Sequence, residues 1–472
     1  MSARPEKPTI VFVSLFGLTE LYWEVARRLS ADGHRICWMT TNEYWTAFLV
    51  SRGVPRDDIL QLIYAPADFV TGAERKTLRD ALTQCEKQSA LSVNQVLLMD
   101  RFITDRPRSD VDEYVLLYYR DIRRFLEARK ARWVFAEPTN ANDLIAYMVC
   151  RELDIAYVSP RDMRYPPRRL VFFDGYKQER LIPRKNGETA VDGREVIDDF
   201  AAVKSTPYYF EKLSRLPAID PGKIARSVVR RWTARKLVSG RSLTHYDAWG
   251  RVKLATRRSV RSIYLRRICR YDDIENLDGK LVYYGLHVQP ENSIDVLGSY
   301  VSDQVKLIKD IRRALPFDAA LIVKEHPNFL GMKSIRFFRE VKRIPNVKLV
   351  RHDRSSFDMY RRVGLVVTVS GTIAYEAGLL GIPAVTFSPM YFGGLSSVFY
   401  CESPSALQNL APNLLNGFDR DYHADCDFMT TLIRNSHDAY WTDPRFDRTV
   451  LNPENITKLA GAFAELLGHD YD

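Results

Sequence analysis

Two doubly wound α/β domains of Rossmann type, each on a mostly parallel sheet and facing the other across a cleft, are the fold class this sequence predicts. Three observations predict it. The chain has 472 residues, enough for two cores of roughly 200 residues each. Short β-branched apolar runs alternate with helix-period segments in both halves of the chain. Polar and glycine-containing motifs follow several of those runs directly, where the carboxyl ends of parallel strands present them.

In chain order, residues 9–16 (TIVFVSLF) read as a buried strand from their β-branched run. Gly17 ends it, residues 19–31 carry a helix period, Gly33 stops that helix, and residues 35–40 give a second strand. Residues 133–136 (WVFA) and 155–159 (IAYVS) are two further strands, with a helix over 142–152 between them. The middle, about 205–270, holds Pro207, Pro217 and Pro221 and then a basic, helix-compatible run. Beyond it the alternation is clearest. Strands are expected at 280–286 (KLVYYGL), 319–324 (AALIVK), 347–350 (VKLV), 364–369 (GLVVTV) and 384–387 (AVTF), with helices of about 10–15 residues between them. From about 430 to 466 the chain reads helical. The expected domains are therefore 1–278, on the acceptor side, 279–416, on the nucleotide side, and 417–472, helices crossing back to the first domain.

Composition narrows the class. Apolar residues at 46% and charged residues at 27% suit a globular protein rather than a disordered one. No apolar run approaches the roughly 18–20 residues that span a bilayer. Residues 1–8 are polar with two prolines, so the expected location is the cytoplasm. The six cysteines are scattered with no C-x-x-C pair, which suggests reduced, mostly buried thiols. The D-x-D strings at Asp110/Asp112, Asp419/Asp421 and Asp425/Asp427 lack a preceding apolar strand and read as surface acids, so no metal is expected. Neither G-x-G-x-x-G nor G-x-x-x-x-G-K-[ST] occurs, so no organic cofactor is expected.

Three motifs carry chemistry. Ser370-Gly371-Thr372 follows an apolar strand and opens a helix that Gly381 and Pro383 end. Free amides and the dipole at a helix start suit a phosphate, and Gly371 lets an anion approach the backbone. Glu376, one turn on, is placed to accept from ribose hydroxyls; the plain alternative is a strand–turn–helix with Ser370 as N-cap. Lys324-Glu325-His326-Pro327 ends another strand, and its imidazole can hydrogen-bond a phosphate oxygen and stabilise a leaving nucleotide. His287-Val288-Gln289-Pro290-Glu291 ends the first strand of the second half, with Gln289 and Glu291 suited to a base or ribose. Three such loops on one sheet edge are expected to converge on a ligand crevice.

Gln289-Pro290-Glu291, His326-Pro327 and the element Ser370-Gly371-Thr372…Glu376-Ala377…Gly381…Pro383, in this order, resemble the capsule polysaccharide biosynthesis family. The resemblance covers about 283–387. It implies a GT-B fold and a retaining β-Kdo transferase that uses CMP-Kdo as nucleotide-sugar co-substrate. It also implies a covalent carboxylate nucleophile in the first domain, for which Glu137, Asp143 and Asp162 are the candidates; the alternative for each is a helix cap or a solvated turn. Arg161 and Arg164, in a loop that also holds Arg168 and Arg169, are placed to receive a sugar carboxylate or an acceptor. The H-P and Ser/Thr elements are also similar to bacterial sialyltransferases.

Between Lys223 and Arg270 stand 15 Lys/Arg and one acid, a local +14 in a chain of net +10, so the remainder is net negative by 4. Three readings stay open: a surface for anionic lipid with Trp232 and Trp249 at the interface, a groove for a polyanionic glycan, and a solvated helical linker. The lipid reading would place the protein on the inner face of the cytoplasmic membrane. A lipid-linked glycan acceptor and other polysaccharide-assembly proteins are the expected partners; no nucleic acid is expected, since no recognised binding fold accompanies the charge. Transfer from UDP- or GDP-sugars, a UDP-sugar 2-epimerase and a non-catalytic assembly or export factor remain as alternatives.

Overall fold

The computed structural model describes residues 7–64, 68–103, 107–185, 187, 191–202, 248–326 and 329–468. By contacts, 7–187 and 433–468 form one compact unit, and 191–202 with 248–432 form the other.

The first unit is built on β1 (Thr9–Val13), β2 (Ile36–Thr40), β3 (Ile59–Gln61), β4 (Ala131–Phe135), β5 (Ala156–Asp162) and β6 (Leu170–Asp174), in the order β3-β2-β1-β4-β5-β6. All pairs are parallel except β5 with β6. A parallel strand is covered on both faces, which is why β1 is an unbroken apolar run with all five residues buried. The helix Leu18–Ala31 covers one face with Leu21, Tyr22, Val25, Ala26 and Leu29, spaced three and four apart. The C-terminal helix Pro453–Leu467 belongs to this same core. The Phe463 ring lies 6.0, 4.8 and 5.0 Å from those of Phe12, Phe135 and Phe172.

The second unit is built on β7 (Lys280–Gly285), β8 (Ala319–Lys324), β9 (Val347–Val350), β10 (Leu365–Thr368), β11 (Ala384–Thr386) and β12 (Val398–Tyr400), in the order β12-β11-β10-β7-β8-β9, all parallel. The helix Gln304–Ala314 shows how its helices are set. Asp303 caps it by accepting from the amides of Val305 and Lys306, and Leu307, Ile308, Ile311 and Ala314 face the core. In both sheets the strand order reverses direction between the first and fourth strands, at β1/β4 and at β7/β10. These are the topological switch points, outside which ligands of doubly wound sheets bind. The two Rossmann-type units are thus as the alternation predicts.

Several expectations need correction. The strands β3, β6 and β12, each three to five residues long, were not anticipated. The helix expected over 430–466 is interrupted. Tyr422–Arg434 and Pro453–Leu467 are helical, but between them His437 bridges Leu170 as an edge strand would, and Pro444 and Pro453 forbid a continuous ladder. The division does not fall at 278/279 and 416/417. The helix Ala248–Ile263 goes with the second unit because Arg258 and Ser262 each donate to the Leu330 carbonyl at 3.2 Å. Residues 417–432 join it because Asp425, fully buried rather than a surface acid, pairs with Arg420 at 2.7 Å and accepts from the Ser396 amide at 2.6 Å. All six cysteines are free thiols and five are buried.

Candidate functional site

The β7 and β10 loops of the second unit are tied together across its switch point. The Val369 amide donates to His287 Nε2 at 3.1 Å, so that nitrogen carries the lone pair and the ring proton sits on Nδ1. The Thr368 hydroxyl is 2.9 Å from the same nitrogen and accepts from the Gly371 amide at 3.1 Å. Ser370 Oγ donates to the Ser293 carbonyl at 2.6 Å, a second tie between the same two loops. The imidazole is buried, and desolvation, helped by the positive charge of Lys333, lowers its pKa to about 3. It is therefore a neutral, fixed acceptor that sets the shape of the 369–371 turn.

That turn explains Gly371. A Cβ there would stand 2.6 Å from Thr368 Oγ1, which is itself fixed by two hydrogen bonds. Thr372 is the N-cap of the helix Ile373–Leu379 and makes no side-chain cap bond, so Ser370 is not the cap that the plain alternative supposed. The amides of Ser370, Thr372 and Ile373 make no hydrogen bond among the described residues. Gly381 ends the helix at φ +73, the left-handed conformation expected of a residue just past a C-cap.

Gln289 is held inside the β7 loop. Gln289 Nε2 donates to Asp295 at 2.6 Å and to the Ser302 carbonyl at 3.0 Å, while its Oε1 accepts from Gln304 at 3.0 Å. Gln289 thus builds the loop rather than facing a ligand. Glu291 caps the short helix Asn292–Asp295 by position and accepts from the Ser293 hydroxyl at 3.1 Å.

The β8 loop carries His326, half-buried, its ring 5.4 Å from that of Phe329. Pro327 lies outside the described residues. Lys324 is buried; desolvation lowers its pKa to about 8, and the carboxylates of Glu376 and Glu325 oppose that shift. Glu376 is buried too, and accepts from the Tyr360 hydroxyl at 2.7 Å. Lys324 and Glu376, read separately from two motifs, therefore belong to one buried polar cluster. Lys333 had no sequence signal, and Glu325 stood in a motif without a role of its own. Lys333 donates to the His287 carbonyl and stands 3.8 Å from Glu325, joining the β7 and β8 loops. Glu325 Oε1 accepts from the His326 amide at 2.9 Å, and its buried Oε2 has no partner among the described residues.

In the first unit, Glu137 stands two residues past the end of β4, at that sheet's switch point. Arg161 Nη1 donates to its Oε1, and both side chains are about one-fifth exposed. Asp143 plays a different part. Its Oδ2 accepts from the amides of Thr139 and Asn140 at 3.0 and 2.8 Å, and its Oδ1 accepts from Asn142 at 2.7 Å. It is the third residue of a capping box on the helix Ala141–Glu152, and burial pushes its carboxyl up to about 7. Asp162 ends β5, where burial pushes its carboxyl up to about 6 against the pull of Arg164. Arg164 is exposed, in a left-handed turn at φ +73. Around Glu137 and Arg161, three buried polar atoms have no partner among the described residues: Tyr22 Oη, Ser159 Oγ and Arg161 Nε. Tyr22 and Ser159 sit in apolar strings, so their sequence context gave no sign of this.

Fold and site together define a protein of two Rossmann-type units, with polar loops tied together at the switch point of the second. Residues 251–397 match the family described as "Capsule polysaccharide biosynthesis protein", a segment that contains every motif residue on which the resemblance rests. No curated protein matches the sequence. Among solved structures, the chain is similar to a UDP-GlcNAc 2-epimerase from Methanocaldococcus jannaschii, at 12% identity over 91% of this chain and 98% of that one, with a TM-score of 0.27. It is similar to a glycosyltransferase from Rickettsia africae at 11% identity, 98% of each chain and a TM-score of 0.29. It is similar to KpsC, a β-Kdo 2,7-transferase of Thermosulfurimonas dismutans, at 12% identity, 74% of this chain, 89% of that one and a TM-score of 0.32. At these scores the three structures carry no weight in the reading of the site.

Proposed function

We propose that the protein is a glycosyltransferase that moves a sugar from a nucleotide-sugar onto a lipid-linked or growing surface polysaccharide, with CMP-Kdo or a related acidic CMP-sugar as donor and no metal. The observation that carries this reading is the fixed geometry at the β7/β10 switch point. His287, Thr368 and Gly371 hold a turn whose amides at Ser370, Thr372 and Ile373 are not used internally. Three such amides beside an imidazole on the next loop suit the single phosphate of a CMP-sugar.

In this reading His326 and the 370–372 turn take the phosphate, Glu291 and Glu376 take ribose or base, and Lys324 adds positive charge beneath them. Gln289 contributes by holding the β7 loop. Glu137 is the first-unit carboxylate assigned to the anomeric carbon, because the oxygens of Asp143 are committed to a helix start. Arg161 is its ion-pair partner. Arg164, exposed in the turn after β5, is assigned to a sugar carboxylate or an acceptor.

Calorimetry with CMP, UMP, UDP, GDP and TDP tests this. CMP is expected to bind, and His326→Ala to weaken it by more than about tenfold, or roughly 1.4 kcal/mol. Binding of UDP or GDP in its place overturns the donor. Conversion of UDP-GlcNAc without any acceptor would make the chain an epimerase, and no nucleotide binding at all would favour the assembly-factor reading.

A further inference from the structure

The helix Ala248–Ile263 and the turn Tyr264–Ile268 divide their residues between two faces. The inner face is spoken for. Arg258 and Ser262 donate to the Leu330 carbonyl, Arg261 donates to the Met332 carbonyl at 2.6 Å, and Leu265 is buried in the core of the second unit. The outer face is exposed and mixed. Val260 and Ile263 are each 56% exposed and Ile268 is 64% exposed. Lys253, Arg257, Arg266 and Arg267 are exposed around them. Positions 253, 257, 260, 263 and 267 recur at three- and four-residue intervals, which lays cations and aliphatics along one stripe.

Among the described residues no ion pair neutralises that stripe. There is no acid between Ala248 and Arg270. The acids that follow are occupied: Asp272 accepts from the Leu349 amide, and Asp273 and Glu275 pair with Arg354 and Arg362. A neighbouring element adds positive charge, with Arg339 over the Tyr264 ring at 5.7 Å. A surface for a soluble polyanion needs only the cations. Exposed branched aliphatics set among cations fit an interface whose outer layer is anionic and whose inner layer is apolar.

We propose that this face docks the second unit onto an anionic lipid bilayer. Val260, Ile263 and Ile268 enter the headgroup–acyl boundary, and Lys253, Arg257 and Arg267 meet lipid phosphates. The proposal does not depend on the donor assigned above.

Co-sedimentation of the full chain with vesicles of phosphatidylcholine containing about one-third phosphatidylglycerol tests it, with pure phosphatidylcholine as the neutral comparison. Wild type is expected to bind the anionic vesicles and not the neutral ones. Arg257→Gln/Arg266→Gln/Arg267→Gln should weaken binding roughly a hundredfold, from about fivefold per basic residue at such a surface. Val260→Ser/Ile263→Ser/Ile268→Ser should weaken it roughly tenfold or more. Wild-type binding by the aliphatic variant would overturn the proposal and leave a face for a soluble polyanion such as a nucleic acid. Failure of wild type to bind anionic vesicles, or equal binding to neutral ones, also overturns it. Every substituted position is exposed; should a triple variant melt early, single Ile268→Ser is read in its place.

Discussion

His287 sets a pH dependence that can be measured. Its folded pKa, lowered from 6.5 to about 3, lies below the unfolded one, so the unfolded chain binds the extra proton when pH falls below 6.5. The stability that depends on a neutral ring is fully present above that pH and is lost progressively down to about 3. At pH 5 the unfolded imidazole is protonated while the native one is not, and about 1.5 pH units of that gap cost about 2 kcal/mol. The figure requires only that the native ring stay neutral at pH 5, and its Nε2 is already occupied by the Val369 amide and the Thr368 hydroxyl. Other titrating groups contribute too, Asp143 and Asp162 among them with the opposite sign, so a difference between two proteins is the right quantity. His287→Gln keeps an acceptor and removes the titration. Hydrogen exchange read by mass spectrometry along a urea series, on peptides over β7 and β10, gives the opening free energy of this region. Between pH 7.5 and pH 5, wild type is expected to lose about 2 kcal/mol more than the variant. An unchanged gap would mean that the ring takes up its proton in the native state, and the assigned tautomer would be wrong.

Three further outcomes follow from contacts already described. Gly371→Ala places a methyl carbon against a Thr368 hydroxyl that cannot move, so calorimetry should show the best-binding nucleotide weakened by roughly tenfold or more, with about 1–3 kcal/mol of stability lost. Asp143→Ala and Glu137→Gln should separate structure from chemistry. The first removes a capping box and costs about 1–2 kcal/mol in a melt, whereas the second leaves the melt nearly unchanged and, in a transfer assay, lowers turnover by on the order of a thousandfold. Asp425→Ala strips Arg420 and the Ser396 amide of a fully buried partner, and a loss of about 3 kcal/mol in denaturant is expected, with nucleotide affinity retained.

The strands that the sequence announced are those covered on both faces. Residues 319–323 and 365–367 carry unbroken apolar runs, and they lie within the interior strands β8 and β10. The strands it hid have weaker patterns for a physical reason. β3 and β12 are three residues long at sheet edges, with burial on only part of their length, and β6 pairs antiparallel with β5 after a turn full of arginines. The domain boundary was hidden differently. Residues 248–270 look like a charged linker because basic residues dominate the string, but the side chains that decide their placement are two of those same arginines and a serine, bonded to backbone carbonyls some seventy residues away. A charge count sees the cation and not the carbonyl that holds it.

The candidate site shows the same limit at finer scale. Strand-end position was legible, because a polar motif after an apolar run is placed at a sheet edge by the fold itself. What each side chain does there was not. Gln289, Ser370 and Asp143 have the chemistry of ligand groups, yet each spends its hydrogen bonds on the chain: Gln289 on Asp295, Ser302 and Gln304, Ser370 on Ser293, Asp143 on the start of a helix. Buried polar atoms must be satisfied, and a loop crowded with them satisfies most of them internally. The groups left over are those the chain does not use itself. In the second unit these include the amides of Ser370, Thr372 and Ile373, which no side-chain letter encodes. A neutral His287 and a threonine at the end of β10 hold the turn that carries them, and position 371 has no side chain to close it. The motif S-G-T is therefore best understood through its backbone, with its one indispensable letter the glycine.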